Sequence, residues 1–235
     1  MSEGPPNSVE QGETPEALRA ANEALHKEIE VLKAELSAAL AAAQEVEQKL
    51  VEAGIDKVTN LPTRERFESI VTALVAHPLG PGERPRKNLP KRLALLFADV
   101  DKFKLVNDTY GHSKGDEVLR AIADELADGI RPADYIGRWG GEEIVIVLTD
   151  ATGAEAVGRA THLLQRVAGR HFRGVDQETG EQRDFTVTVS IGTASMLNNS
   201  ETSFEELVSM ADKAMYIAKD TGRNRVVGAP VVPPL

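Results

Sequence analysis

Two carboxylates follow two glycines in Arg138-Trp139-Gly140-Gly141-Glu142-Glu143-Ile144, and the apolar stretch Val145-Ile146-Val147-Leu148 comes directly behind them. Glycine accepts φ > 0 without a Cβ clash, so Gly-Gly between β-prone segments predicts a hairpin tip carrying Glu142 and Glu143. The missing Cβ atoms would also let a bulky ligand approach the backbone. A second acidic pair, Asp99 and Asp101, ends the apolar run Leu93-Ala94-Leu95-Leu96-Phe97-Ala98. Strand alternation would place both acids on one face and Val100 on the other. Carboxylates at two adjacent strand ends supply the hard oxygen donors that Mg²⁺ takes. An apolar run seldom closes on two acids without a cation nearby, which favours a site at Asp99. For Asp101, a helix cap or dipole partner is an equal alternative, and Asp116 can be read as a first-turn acid of its helix. Lys219 and Arg223 fall four apart at a helix C-terminus and can share one face, where cations suit the helix dipole.

These side chains need a frame. The pattern predicts a strand over 92–100, helices over 102–108 and 114–129, a hairpin over 135–149 and a helix over 153–169. Strands near 171–176 and 184–195, a helix over 203–219 and a strand over 224–228 follow. Asp176-Gln177-Glu178-Thr179-Gly180 is the turn between the late strands. The core order β-α-β-β-α-β implies an α+β domain with a ferredoxin-like, mainly antiparallel sheet and helices on one face.

A different pattern precedes this domain. Residues 1–14 contain Gly4, Pro5, Pro6, Asn7 and Gly12 and read as disordered. Thr14-Pro15-Glu16 is a helix start, and no Gly or Pro follows until Gly54. Leu18, Leu25, Leu32, Ala39, Val46 and Ala53 form one seam; Asn22, Ile29, Leu36, Ala43 and Leu50 form the other. About five heptads of alternating a and d positions imply a coiled coil over 15–54, with Asn22 fixing a two-stranded register and Glu28 facing Lys33 of a parallel chain; a lone amphipathic helix packed on the domain is the alternative. Asp56 to Pro62 is a turn-rich hinge, and Thr63 to Ala76 reads as a helix. Residues 77–92 form a solvated loop. The domain then occupies 55–230, with 231–235 as a tail.

Composition narrows the function classes. The 235 residues carry a net charge of −10, which argues against a nucleic-acid polymer as partner, because counterion release needs a basic surface. A small nucleotide is compatible, since a metal and a local Lys/Arg cluster can neutralise its phosphates. There is no cysteine, which removes disulfides and thiolate metal sites. No apolar run approaches the roughly 20 residues needed to span a bilayer, and Met1 to Thr14 carries no signal-peptide core. The expectation is a cytoplasmic protein.

Asp99-Val100-Asp101-Lys102-Phe103-Lys104-Leu105-Val106-Asn107-Asp108-Thr109-Tyr110-Gly111-His112, then Gly115-Asp116, then Arg138 to Glu143 resemble the GGDEF family of diguanylate cyclases. Later blocks agree: Thr188-Val189-Ser190-Ile191-Gly192, Ala211-Asp212-Lys213-Ala214-Met215-Tyr216-Ile217-Ala218-Lys219 and Gly222-Arg223-Asn224. Asp56-Lys57-Val58-Thr59-Asn60-Leu61-Pro62-Thr63-Arg64 resembles the segment that joins a signalling helix to such a domain. The resemblance covers 56–228. It implies a nucleotidyl-cyclase-type fold that condenses two GTP into cyclic di-GMP and releases two pyrophosphates, with two domains facing each other in a homodimer. It also implies Mg²⁺ (or Mn²⁺) held by Asp99, the Val100 carbonyl, Glu142 and Glu143. Glu143 is the acid also associated with deprotonating the attacking 3′-hydroxyl. Asn107 and Asp116 match the guanine-reading pair. Phe103 and Lys104 match the phosphate loop, and Lys219 and Arg223 the triphosphate tail. Arg131-Pro132-Ala133-Asp134, just upstream of the hairpin, resembles the Arg-x-x-Asp site where the product binds and inhibits, with Arg159 or Arg166 as a second arginine.

The departures are mild. Ile144 replaces the usual Phe but is apolar and strand-forming. Glu142 in place of Asp is a common variant. Asn60 stands where Gly is frequent, and Asn tolerates the left-handed region. Thr63 and Glu65 depart from the usual Asn and Arg. Two competing readings are a catalytically silent receptor for cyclic di-GMP and a coiled-coil scaffold that merely carries a nucleotide.

Overall fold

The computed structural model describes residues 15–75, 89–198 and 202–229. The expected disordered N-terminus, most of the 77–92 loop and the C-terminal tail lie outside the described residues. The chain divides into two compact units, Met1–Lys49 and Leu50–Leu235.

In the first unit, α1 begins at Pro15 and the helix runs on to Glu52. Leu18, Leu25, Leu32 and Leu36 are more than half exposed along it, and Ile29 is exposed too. Lys33 bonds Glu30 one turn earlier at 2.9 Å. Among the described residues, no helix is long and apolar enough to cross a membrane.

The second unit begins with a hinge. Gly54 (φ +66°) ends the helical path, and an isolated bridge joins Ile55 to Pro62. The Asp56 carboxylate accepts the N–H groups of Val58 and Thr59 and the Thr59 hydroxyl. Asn60 adopts φ +57°, as expected of an Asn in a glycine-like position. Helix α2 (Arg64–Thr72) is capped by Thr63 and is shorter than the sequence suggests.

The sheet holds β1 (Arg92–Val100), β2 (Tyr135–Gly140), β3 (Glu143–Thr149), β6 (Val189–Leu197) and β7 (Val226–Gly228) in the order β2-β3-β1-β6-β7. Within it, β6 and β7 pair in parallel and the other neighbours are antiparallel. The first four strands have ferredoxin-like connectivity, and β7 extends one edge. Between them lie α3 (Phe103–Tyr110), α4 (His112–Asp128), α5 (Gly153–Ala168) and α6 (Phe204–Asp220).

Helices cover both faces of the sheet, which corrects the one-face reading. Ala94, Leu96, Ala98 and Val100 of β1 join the core that includes Val118 and Ile122 of α4 and Leu163 of α5. Leu93, Leu95 and Phe97 join the core with Phe67 of α2 and Leu207 and Ala211 of α6. A central strand buried on both faces has no solvent side to alternate with. Gly192 makes the second layer possible: a Cβ there would run into the Ala211 carbonyl and the Met215 backbone nitrogen, so α6 lies directly on β6.

The late strand expected over 184–195 is two strands. β5 (Gln182–Thr186) pairs with β4 (His171–Val175) in a separate two-stranded sheet, while β6 joins the main one. Phe185 stacks on Tyr110 of α3 at 4.2 Å between centroids, which pulls β5 away from the line of β6. The turn at Asp176–Gly180 forms as expected, with Gly180 at φ +71°.

Candidate functional site

The hairpin tip lies beside the end of β1. Asp99 pairs with Glu143 in the β1–β3 register, and the Val100 N–H donates to the Glu142 carbonyl at 3.4 Å. Gly141 adopts φ +48°, and a Cβ on it would meet nothing within 4 Å, so the ground above the tip is open. Gly140 needs no left-handed conformation; only one of the two glycines makes the turn.

Asp99 is 4% exposed. Its Oδ2 accepts from Lys219 Nζ at 2.6 Å, and Lys219 comes from the last turn of α6. Its Oδ1 is buried and has no hydrogen-bond partner. Burial pushes the Asp99 carboxyl above its ordinary range; Lys219 opposes this, while Glu142 and Asp101 add to it. Burial also raises Glu143, and the charges of Asp99 and of Asp212 on α6 raise it further. An unpartnered carboxylate oxygen in a crowd of acids is short of one cation. Among the described residues, no three acidic or imidazole side chains form a metal cage by themselves. Mg²⁺ is typically held by one or two carboxylates and completed by substrate phosphates and water.

Across the end of the sheet, α3 and α4 form a second wall. Lys102 precedes α3 at φ +57° and gives it no side-chain cap, so the first N–H groups of Phe103 and Lys104 face outward at a helix N-terminus, where anions bind. Phe103 is buried and anchors the turn; Lys104 is exposed. Asn107 lies in the second half of α3, and its side-chain oxygen occupies the space that a Cβ on Gly115 would take. Asp116, the next residue of α4, is exposed.

Arg223 is not on the helix. α6 stops at Asp220 with Thr221 as C-cap, and Gly222, Arg223 and Asn224 have φ of +123°, +60° and +46°. Lys219 and Arg223 therefore do not share a helix face, contrary to the expectation from their spacing. A left-handed turn carries Arg223, with its N–H on the Ala218 carbonyl at 2.9 Å. Gly222 is the sequence signal for that helix end. Asp101 is buried and accepts from Thr188, Ser190 and the Asn224 N–H, so its oxygens are engaged by protein.

Arg138, which sequence alone gives no task, has two. Its Nη1 donates to both Asp56 oxygens at 2.8 Å, and its Nε and Nη2 donate to the Gly141 carbonyl at 3.0 and 2.6 Å. One guanidinium thus joins the hinge to the hairpin tip. Burial would raise Asp56, but the Thr59 and Arg138 hydrogen bonds outweigh it and hold the carboxyl below its usual range. On α4, Arg120 donates to the Lys57 and Val58 carbonyls. Trp139 lies under the Arg64 guanidinium, 4.1 Å from ring to Cζ.

Arg131 and Asp134 sit in the α4–β2 connection. Asp134 accepts the Arg131 N–H and the Thr149 N–H, one on each oxygen, so it already builds its own turn. Arg131 is exposed. Of the two candidate second arginines, Arg166 is paired with Glu125, whereas Arg159 reaches the Gly129 carbonyl, two residues before Arg131.

Comparisons with known proteins identify the family. The family model described as "Diguanylate cyclase, GGDEF domain" matches residues 53–225. Diguanylate cyclase DosC of Escherichia coli K12 is 38% identical over 175 residues, 74% of this chain and 35% of that protein. The response regulator PleD of Caulobacter vibrioides is 39% identical over 137 residues, 58% of this chain and 29% of that protein. This chain thus spans little more than a third of DosC and less than a third of PleD. The solved coiled coil and GGDEF domain of DgcB from Caulobacter crescentus, in complex with c-di-GMP, has a TM-score of 0.64 at 27% identity, covering 84% of this chain and 99% of that one.

Proposed function

Because the chain belongs to the GGDEF family of diguanylate cyclases, we propose that it condenses two GTP into cyclic di-GMP and two pyrophosphates. The observation that carries this reading is Asp99, buried between Lys219 and Glu143 with one oxygen unpartnered. Asp99, the Val100 carbonyl, Glu142 and Glu143 would hold Mg²⁺ (or Mn²⁺) together with the triphosphate. When bound, the metal supplies charge neutralisation at the phosphates and acidifies a nearby hydroxyl.

The chain's own residues do the rest. Asn107 and Asp116 read guanine: a carboxylate accepts from N1–H and N2–H₂, a pattern adenine does not offer, and a wrong base leaves it unpaired. The amides of Phe103 and Lys104, the Lys104 ammonium, Lys219 and Arg223 hold the triphosphate so that pyrophosphate leaves in line. Glu143, raised by burial and by Asp99, is suited to accept the proton of the incoming 3′-hydroxyl. Each 3′-oxygen attacks the α-phosphorus of the other GTP, one phosphodiester forms, one pyrophosphate leaves, and the step repeats.

One domain holds one GTP, so turnover needs a homodimer, and opposition of the two sites contributes orientation to the chemistry. Residues 15–54 serve as the coiled coil that joins them, and 55–230 as the cyclase domain. Arg131 and Asp134 bind the product and inhibit. GTP locates the protein in the cytoplasm. Incubation with GTP and Mg²⁺, followed by mass spectrometry, tests the reading. Absence of cyclic di-GMP, even after bound product is stripped away, refutes it.

A further inference from the structure

Asp101 is a buried carboxylate surrounded by neutral donors. Thr188 Oγ1 donates to it at 2.6 Å, Ser190 Oγ at 2.7 Å and the Asn224 N–H at 3.0 Å, while its own N–H donates to the Thr188 carbonyl at 2.8 Å. Both of its oxygens are thus bonded by protein, unlike Oδ1 of Asp99. These hydrogen bonds give Asp101 a geometric role.

The third donor shows what is held. Asn224 closes a run of three residues with positive φ, Gly222, Arg223 and Asn224, and the side chain of Arg223 disfavours this region, which Gly and Asn tolerate. Such a run persists only where neighbours over-determine it. On one side the Arg223 N–H bonds the Ala218 carbonyl of α6; on the other the Asn224 N–H bonds Asp101. Asp101, Arg223 and Asn224 line one cleft of about 460 Å³ with Lys102, itself left-handed at φ +57°. Pinning the turn thus fixes the backbone from which the exposed Arg223 side chain extends at this cleft.

We propose that Asp101 is a positioning residue for the triphosphate: it pins the left-handed Gly222–Asn224 turn so that Arg223 is held for the β- and γ-phosphates. This rests on the role given to Arg223 under the proposed function.

The test uses the full chain with Mg²⁺ and 3′-deoxy-GTP, which binds as GTP does but has no attacking hydroxyl, and GMP as a competitor lacking the outer phosphates. Asp101→Asn should weaken 3′-deoxy-GTP about tenfold, the scale of one charge-assisted contact, and GMP less than about twofold. Arg223→Ala should do the same, and the double variant should bind no more weakly than Arg223→Ala alone. Gly222→Ala strains the turn without touching Asp101, should reproduce the selective loss, and carries the test if Asp101→Asn does not fold. Equal losses for 3′-deoxy-GTP and GMP, or full additivity with Arg223→Ala, overturn the proposal while leaving Arg223 its role. If Arg223→Ala itself binds 3′-deoxy-GTP normally, the reading of Arg223 fails and this proposal with it.

Discussion

Replacing Arg138 by Met keeps most of the aliphatic stem and removes the guanidinium that joins the hinge to the hairpin. The Arg138 and Asp56 side chains are 18% and 20% exposed, between a surface pair and a buried one. Exposed pairs contribute about 0.2–1 kcal/mol, and breaking a buried pair costs about 3–5 kcal/mol. The Gly141 carbonyl also loses two donors, so a loss of about 2–3 kcal/mol is expected, or about 4–12 °C in Tm for a domain of this size. Asp56→Asn alone should cost less, because the amide oxygen can still accept from Thr59. A double-mutant cycle by urea unfolding should give a coupling of about 1–2 kcal/mol. The pH dependence has a fixed sign. Asp56 has a lowered folded pKa, so its stabilisation is fully present above the unfolded value of about 4 and disappears as pH falls through the folded one. The gap between parent and Arg138→Met should therefore narrow in acid. With the tip freed, Glu142 and Glu143 lose their placement, and kcat should fall more than GTP affinity. A coupling under about 0.3 kcal/mol, within the error of independent sites, would refute the clamp.

Glu143→Gln should make no cyclic di-GMP and yet melt higher than the parent at pH 7. A raised folded pKa means that the carboxylate costs stability as pH rises above its ordinary value of 4.5, so the difference should vanish below that pH; an unchanged melting profile would contradict the crowding of acids. Gly192→Ala puts a Cβ against backbone atoms of α6 that cannot yield, and should cost about 3 kcal/mol or prevent folding; a near-neutral thermal melt would show that α6 does not lie on β6 as described. Leu32→Pro interrupts α1 and should give a monomer by sedimentation, with turnover that collapses on dilution; the same mass and activity as the parent would end the coiled-coil account.

What the residues disclose and what they hide have separable causes. The hairpin, β1, and the α3–α4 pair are legible because each rests on local chemistry: Gly141 at a tip, an apolar run, Gly111 between two helices. The two-sided burial of the sheet is written in the same runs, although strand order alone suggests one covered face. Eight consecutive buried residues in β1, from Leu93 to Val100, and five in β3, from Ile144 to Leu148, leave no solvent face. Asp99 and Asp101 look alike in sequence. They differ because Ser190 and Asn224, roughly 90 and 120 positions away, come to one and not the other, which no local pattern encodes. The link from Arg138 to Asp56 spans 82 positions and is hidden for the same reason.

The charge of the site explains why a tether matters to the proposed reaction. Asp99, Glu142, Glu143 and Asp212 crowd one site in a chain whose net charge is −10, with Lys219 directly against Asp99. Each loaded domain adds a triphosphate, so two such faces repel as they approach, by an amount that salt screens only in part at contact. Free collision is then a poor route to the opposed state. Joining two copies through residues 15–54 raises their effective concentration without asking the acidic faces to attract. The helix that would do this carries Leu18, Leu25, Leu32 and Leu36, all more than half exposed. The coiled coil should therefore matter most at low salt, where repulsion is greatest, and the activity lost in Leu32→Pro should be partly recovered as ionic strength rises.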